Sequence, residues 1–427
     1  IGKIIEYVED INSIEKVIGI ILSQVNNENP KIRFACLYCI YQLTERYGDS
    51  FLDLYHKTVL PTINELFKKE TVLRVLIQLC DTLQTILEKA PKSIVNENIQ
   101  NFLDSVFLIF IKSEKECPAI LREGIIDVLG ELISATEDKF APFSEKCFDI
   151  LFQYLTVIIK SNDKNTNLFG ELIDVITRVG KYCPEKLAKN SLDIAQSLIL
   201  FQNNISNFKG NVGEFFESAW EKILPVIKTD HKDIIPTIIQ SALKVITNPP
   251  EMAISSNPEK KFDVQAFIGD VDLGEKKVTL EKEKITFNTS ETEEYTIFLE
   301  IFNLFLTELK DSALPYIDVV EQEAKRVLSY PNSDIRVEAS RVFPNLIEVV
   351  KISADNSKVV LKLKEYLTVL VTAAKNDKEN IVVSGMLDSI NDLLKDQPKL
   401  LNEVELQHLF NELLQIFDKT EASRLYL

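Results

Sequence analysis

Acidic side chains recur at helical spacing in the first half of the sequence. Glu123, Asp127 and Glu131 stand at positions i, i+4 and i+8, on the side of a predicted helix opposite its apolar residues. Neighbouring carboxylates bind the ammonium and guanidinium heads of lysine and arginine, and an indole ring can receive an aliphatic stem or a cation. The sequence therefore predicts a binding surface for an extended basic peptide, whose other members are Asp81, Glu171, Asp174, Glu217 and the only tryptophan, Trp220.

A plainer interpretation of the same acids stays open. An acidic stripe on an amphipathic helix is most often just its solvated face. Its occurrence on three consecutive helices of the same kind favours a binding surface over accident. The net charge of −17, from 65 acidic and 48 basic residues, favours a basic partner and argues against nucleic acid as a direct ligand.

Catalytic and metal-binding chemistry finds little support in the sequence. The three histidines, His56, His231 and His408, are far apart on separate predicted helices. The sequence contains no glycine-rich phosphate loop, nucleophile elbow or ligand cluster. Cys36 and Cys39 would need a second ligand pair to hold zinc, and the six cysteines are typical of small apolar residues in a reducing compartment. We therefore expect no enzyme, no cofactor and no metal.

The helices that carry the acids repeat along the chain. Equivalent helix starts are separated by 43, 46, 47, 47, 80, 45 and 45 residues, at Phe51, Ile94, Phe140, Leu187, Ile234, Leu314, Val359 and Val404. A period of roughly 40–47 residues with two amphipathic helices in each unit is typical of HEAT repeats, which bury their apolar faces only by stacking.

The predicted fold class is therefore all-α, an α-α superhelix (HEAT-repeat solenoid) of about eight to nine two-helix repeats. We assign residues 1–427 to a single solenoid fragment, and an unpaired first helix indicates that both ends fall inside a longer array. In such a superhelix the second helices of successive repeats line one concave wall, which would place the acidic stripes side by side.

An aliphatic-arginine pair recurs at the start of the second helices. The arginines are Arg33, Arg74, Arg122 and Arg336. Because the guanidinium group has a fork of donors, we expect each to bind a turn carboxylate or carbonyl of the neighbouring repeat. Their predicted role is structural.

The oversized step of 80 residues predicts an inserted loop at 248–292. Two short alternating stretches within it, Lys277 to Leu280 and Lys284 to Phe287, could pair as a hairpin. This loop could be a mobile segment without a specific role, or it could have a regulatory or contact role, and the sequence leaves both alternatives open. No apolar run reaches the roughly 18 residues that a membrane span needs, so we expect no membrane partner.

Several of these runs together resemble a known family. They are "NPKIRFACLYCIYQLTERYGDSF", "LREGIIDVLGELISATEDKFAPF", "ESAWEKILPVI", "VDLGEKKVTLEKEKITFNTSETEEY" and "DIRVEASRVFPNLIEVVK". Their order, including the position of the inserted loop, is similar to the middle of karyopherin-β nuclear transport receptors of the importin-5 (importin beta-3) type. The resemblance covers essentially the whole chain.

The resemblance implies a carrier that shuttles between cytoplasm and nucleus. Such receptors bind basic cargo, including ribosomal proteins and histones, cross the pore on FG nucleoporins and release cargo to Ran-GTP. The similarity begins after the repeats that make the main Ran contact in the family, which leaves Ran binding by this fragment open. The family's cargo surface corresponds here to Asp81, Glu123, Asp127, Glu131, Glu171, Asp174, Glu217 and Trp220. The alternative is another HEAT scaffold, such as a phosphatase regulatory subunit.

Overall fold

The structure is a computed structural model that describes residues 15–161, 166–204, 212–250, 252–255, 275–280, 283–395 and 400–424. Side chains are described within these ranges except at 161, 166, 204, 212, 252–255, 275–280, 283–290 and 419–424. The remainder of the predicted insertion, 251, 256–274 and 281–282, lies outside the described residues. The chain divides into two compact units, Ile1–Ser191 and Leu192–Leu427.

The first unit is a stack of antiparallel helix pairs. Its second helices α2, α4, α6 and α8 pack one on the next, and the first helices α3 and α5 pack in the same way. Helix α9 begins in this unit and ends in the other. The helices are α1 Glu15–Gln24, α2 Pro30–Tyr47, α3 Asp49–Lys69, α4 Leu73–Lys89, α5 Lys92–Phe110, α6 Ala119–Thr136, α7 Ala141–Ser161, α8 Thr166–Gly180 and α9 Pro184–Asn204.

The second unit repeats the arrangement. Helices α10, α12, α14 and α16 are its second helices, and each packs on the next. The helices are α10 Val212–Asp230, α11 Ile235–Ile246, α12 Thr289–Leu309, α13 Ile317–Val327, α14 Ser333–Ser353, α15 Asn356–Asn376, α16 Asn380–Lys395 and α17 Glu403–Arg424. Short 3-10 turns at Glu137–Phe140, Lys232–Ile234 and Lys310–Tyr316 precede α7, α11 and α13. The all-α class and the two-helix repeat are confirmed.

Local sequence accounts for where the helices begin. Asn29 accepts a hydrogen bond from the Lys31 amide, and Pro30 occupies the first position of α2. Asn332 caps α14 through the Ile335 amide. Helix α2 ends at Gly48, whose φ of 46° lies in the region that favours glycine. Among the described residues, no helix is both long and apolar enough to cross a bilayer.

Stacking determines which residues form the core. A second helix touches the second helices before and after it as well as its own first helix, so it is apolar around most of its circumference. Helix α4 illustrates this, since Val75, Leu79, Leu83 and Ile86 are each at most 1% exposed. Only a narrow strip of each second helix is left for polar side chains.

Two of the arginines tie one repeat to the next, as predicted. The Nε and Nη2 atoms of Arg33 donate to the two carboxylate oxygens of Glu70 at 2.6 and 2.8 Å. Its Nη1 donates to the carbonyl oxygens of Asn27 and Glu28, both at 2.9 Å. Because Glu70 follows α3, one guanidinium joins the turn of its own repeat to the turn of the next.

Burial alone would raise the pKa of Glu70. The hydrogen bond from Arg33, together with the amides of Val72 and Thr71, outweighs burial and lowers the pKa below its ordinary value. The ionised pair therefore stabilises the fold above the carboxyl's ordinary pKa, and this contribution is lost as the pH falls through the lowered value.

Arg336 makes the same connection in the second unit. It donates from Nε to Asp377 at 2.7 Å and from Nη2 to Glu379 at 2.8 Å. Its Nη1 donates to the carbonyl oxygens of Tyr330 and Pro331 at 2.7 and 3.0 Å. The side chains of Arg336 and Asp377 are only 8% and 9% exposed, so each charge depends on the other for compensation.

The other two arginines depart from this pattern. Arg74 is exposed, and its guanidinium carbon lies 4.3 Å from the ring centre of Phe34. Arg122 is buried and holds its own turn, through Glu114 and the carbonyl oxygen of Lys112 at 2.7 Å. Arg33 and Arg336 therefore make the predicted link to the next repeat through a carboxylate. Arg122 makes it through the hydroxyl of Tyr154, to which its Nη1 donates at 3.3 Å.

The insertion contains a small antiparallel sheet. Its strands are β1 Met252–Ser255, β2 Glu275–Leu280 and β3 Glu283–Asn288, in the order β1-β3-β2. The pairing of Val278 with Ile285 confirms the predicted hairpin, and β1 is an addition that the sequence did not indicate. The base of the insertion is held by hydrogen bonds from the hydroxyls of Tyr295 and Tyr330 to the carbonyl oxygens of Ile246 and Pro250, at 2.7 and 2.8 Å.

Replacing Arg336 by alanine should destabilise the stack at α14 and α16. The Arg336→Ala change leaves the buried Asp377 uncompensated, a loss of about 3–5 kcal/mol. Hydrogen exchange of the amides in α14 and α16 measures the loss. The matched control is Lys351→Ala on the same helix, because the side chain of its partner Glu348 is 46% exposed and their ion pair should contribute less than about 1 kcal/mol. Equal effects of the two changes would contradict the proposed role of Arg336.

Candidate functional site

The exposed strips of α4, α6 and α8 bring predicted acids together. Because these helices pack side by side, Asp81, Glu123, Asp127, Glu131 and Glu171 form one surface, which we call the first acidic face. Asp81 is exposed and the other four are half-buried. The face lies wholly within the first unit.

The carboxyl of Asp127 lies at the centre of this face. Burial raises its pKa to about 6, with further increases from the charges of Glu123, Glu131 and Asp81. Glu123 and Glu131 are one helical turn away on α6, whereas Asp81 comes from α4. Beyond burial, the raised pKa of Asp127 therefore has two sources, the helical spacing of acids along α6 and the proximity of α4.

Glu171 on α8 shows the strongest effect. Burial raises its pKa to about 8, and repulsion from Asp127 and Glu123 adds to the shift. Its Oε2 atom is buried and has no hydrogen-bond partner within the described chain. A carboxyl in this position is held away from both water and counter-charge, which is typical of binding sites.

The structure corrects the prediction for Asp174. This residue is 6% exposed and pairs with Arg178 on its own helix, at 3.4 Å between Oδ2 and Nη1. Arg178 also donates to the carbonyl oxygen of Gly130 at 2.9 Å and to the hydroxyl of Ser134. Asp174 therefore helps to fasten α8 to α6 and does not present a carboxylate on the first acidic face.

Trp220 is also placed differently from the prediction. Its side chain is 0% exposed and packs edge-on against Phe305, with ring centres 5.5 Å apart. The indole ring is therefore part of the core between α10 and α12 and offers no platform for a ligand. Glu217, on the same helix, is half-buried and does reach the surface.

Glu217 belongs to a second group of carboxyls, in the second unit. Burial, and then the charges of Glu221 and Glu214, raises its pKa. Burial and then repulsion from Glu338 and Glu217 raise the pKa of Glu300 to about 7. Glu338 is 6% exposed, and burial raises its pKa against the opposing charge of Arg341.

Of these carboxyls, those of Glu214, Glu300 and Glu338 line a groove along α10, α12, α14 and α16, with a volume of about 570 Å³. We call it the second acidic groove. Ile297, Val337 and Ile381 supply apolar walls, and Arg341 is the basic residue among the lining residues. Its carboxyl-bearing residues are Glu214, Glu293, Glu300, Asp334, Glu338 and Asp388.

The sequence interpretation missed most of this groove. Glu293 and Glu300 are seven residues apart on α12, a spacing that puts both on one helix face. That spacing is visible in the sequence and could have identified both residues. Both acidic surfaces can bind ammonium or guanidinium groups, and among the described residues no group of side chains is arranged to hold a metal ion.

Removal of one buried acid should make the protein more stable at high pH. A carboxyl whose pKa is raised by folding binds its proton more tightly in the folded state, so stability falls as the pH rises between the ordinary and raised values. Glu171→Gln should therefore increase the unfolding free energy by about 1–2 kcal/mol at pH 8 and by much less at pH 5. Urea unfolding at both pH values tests this, with the exposed Glu97→Gln as control. A gain that does not depend on pH would contradict the assignment.

Comparison with known proteins adds evidence on the fold. No protein-family model matches the sequence. Kap121p bound to RanGTP is similar over 97% of this chain, with a TM-score of 0.77 and 17% identity. Kap121p bound to Nup53p gives a TM-score of 0.75 at 17% identity, again over 97% of this chain.

A third solved structure is the karyopherin Kap121p bound to the extreme C-terminus of the protein phosphatase Cdc14p. It is similar over 97% of this chain, with a TM-score of 0.75 and 16% identity. The present chain spans 38–39% of the length of the Kap121p chain in these three structures. At this level of identity the likeness establishes the architecture: the chain has the helical-repeat fold of the karyopherin Kap121p.

Proposed function

We propose that this chain is the cargo-binding part of a nuclear transport receptor of the karyopherin-β, importin-5 type, and that it binds basic localisation signals. The observation that carries the proposal is the grouping of Asp127 and Glu171 with other carboxyls on three helices that pack side by side, where burial and mutual repulsion raise the pKa of Asp127 to about 6 and that of Glu171 to about 8. A folded protein that keeps unneutralised acids together gains free energy when a cation arrives.

The geometry suits an extended segment. Carboxyls from three successive helices lie on the first acidic face, and helices that pack side by side are roughly 8–10 Å apart. A chain in extended conformation advances about 3.3 Å per residue, so every third side chain could reach a new helix. Lysine and arginine side chains at such spacing would each meet at least one carboxylate.

The wider transport cycle is part of the same proposal. Kap121p has been solved with RanGTP and with Nup53p, and we infer that the complete receptor containing this chain likewise uses Ran and FG nucleoporins. Ribosomal proteins and histones are the proposed cargo because both are rich in lysine and arginine. The receptor would shuttle between cytoplasm and nucleus without acting as an enzyme.

Neutralising the first acidic face should weaken the binding of a basic peptide. We expect Asp81→Asn, Glu123→Gln and Asp127→Asn together to raise the Kd of a fluorescein-labelled lysine/arginine-rich peptide at least tenfold, since charge-assisted contacts are lost. Fluorescence polarisation measures the change, and affinity should fall as salt rises. A matched control neutralises three exposed acids on first helices, Glu65, Glu97 and Glu185.

Equal effects of the two triple variants would reject the first acidic face. If the unaltered chain bound no basic peptide at all but captured a phosphatase catalytic subunit stoichiometrically, the alternative HEAT scaffold would replace the transport receptor. Circular dichroism of both variants checks that folding is retained, as expected for acids that lie at the surface.

The pH should control the same binding reaction. Cations bind the ionised carboxyls, so an arginine-only peptide, whose own charge is constant, should bind more tightly at pH 8 than at pH 5.5. Binding at pH 7 should release protons, because the ligand lowers the raised pKa values of Asp127 and Glu171. Calorimetry in two buffers of different ionisation enthalpy measures the release. Proton uptake, or none, would contradict the proposed contacts.

A further inference from the structure

A cavity beside Arg122 is not used by the proposed cargo contacts. It has a volume of about 720 Å³ and lies between the end of α5, the turn that follows it and the second half of α7. Its walls include Phe110, Ile150 and Ile158, and Arg122 lines it from α6. A volume of this size is typical of ligand pockets.

The rim of the cavity is apolar and open to solvent. Ile111 is 67% exposed and Val157 is 53% exposed, and both line the cavity. Leu108 and Ile120, at either end of the same turn, are 43% and 56% exposed. Large aliphatic side chains grouped in this way mark interaction surfaces more often than isolated ones do.

The guanidinium of Arg122 is paired differently from those of Arg33 and Arg336. The residue is 5% exposed, yet its Nε has no hydrogen-bond acceptor within the described chain. At the equivalent positions, the Nε atoms of Arg33 and Arg336 donate to the carboxylates of Glu70 and Asp377. A carboxylate therefore occupies this position in two repeats, whereas in this repeat no carboxylate does and the guanidinium also contacts the buried thiol of Cys117.

The carboxylate that does contact Arg122 is weakly held. Glu114 reaches the guanidinium from the α5–α6 turn, but its side chain is 67% exposed. The guanidinium also lies 4.6 Å from the ring centre of Tyr154, which fixes it at the cavity wall. An exposed glutamate that pairs with a buried arginine is readily exchanged for another carboxylate, because water compensates the glutamate when it leaves.

We propose that this cavity is a docking site for a partner peptide in which aspartate or glutamate stands beside a large apolar residue. The peptide carboxylate takes the place of Glu114 on Arg122, and the apolar side chain enters between Ile111 and Val157. The partner chemistry is opposite in charge to the basic cargo, so the two sites bind different segments.

Charge complementarity supports an acidic occupant here although the chain as a whole carries −17. Lys112, Glu114 and Arg122 are the charged residues that line the cavity, so two positive charges remain when a peptide carboxylate displaces Glu114. Lys115 and Glu116 of the same turn offset each other. Long-range repulsion from the rest of the protein is screened beyond about 8 Å at physiological salt. The local contacts therefore decide the sign of the ligand's charge.

Binding of a labelled peptide to the complete chain tests the proposal. The probe is fluorescein-labelled Gly-Leu-Asp-Phe-Leu-Gly, measured by fluorescence polarisation in 150 mM salt beside the same peptide with Asn in place of Asp. We expect the Asp peptide to bind at least tenfold more tightly. Glu114→Gln should tighten binding of the Asp peptide by about twofold or more, because it removes the internal competitor.

A substitution at the solvent-exposed edge of the cavity tests the proposal without changing a core residue. Val157→Asp places a like charge at the exposed edge and should weaken the Asp peptide at least tenfold, whereas Val319→Asp, at a 44% exposed valine on α13, should not. Basic-peptide affinity should be unchanged in Val157→Asp, which separates this site from the first acidic face. Equal binding of the Asp and Asn peptides, or equal effects of the two valine changes, would overturn the proposal.

Discussion

Each repeat can bury its apolar surface only against its neighbours, and this constraint shapes the rest of the molecule. A second helix that touches helices on three sides keeps only a narrow strip for polar residues. Strips of successive repeats then lie next to one another at the helix-packing distance of about 8–10 Å. Carboxyl groups that would be well separated on isolated amphipathic helices become close neighbours, and burial together with their mutual repulsion raises their pKa values.

The arginines at the starts of the second helices set the spacing of this stack. Arg33 and Arg336 each join the turn of one repeat to a carboxylate in the turn of the next. Such buried pairs add modestly to stability, but they penalise any arrangement that separates the two charges. Arg122 keeps the helix position, but its carboxylate partner, Glu114, comes from its own turn, so the motif joins successive repeats through a carboxylate at Arg33 and Arg336 and not at Arg122.

The two acidic surfaces show how the proposed binding sites oppose stability. Like charges at Asp127 and Glu171, and at Glu300 and Glu338, are brought together by packing that the core requires. The repulsion is tolerated because a repeat array distributes its stability over many similar interfaces. A basic segment would remove the repulsion on binding, so part of its affinity comes from strain already present in the free protein.

The sequence alone determined the repeat length and the all-α class, because hydrophobic periodicity and helix caps are local properties. It also put Asp81, Glu123, Asp127 and Glu131 on the polar faces of their helices, since one helix suffices to identify its polar face. Only the tertiary structure decided how deep a residue at the edge of that face lies. Asp174 and Trp220 stand next to surface positions in sequence, yet α6 and α12 cover them. The cluster around Glu300 likewise depends on three helices that are distant in sequence, and their approach is a property of packing that no single helix encodes.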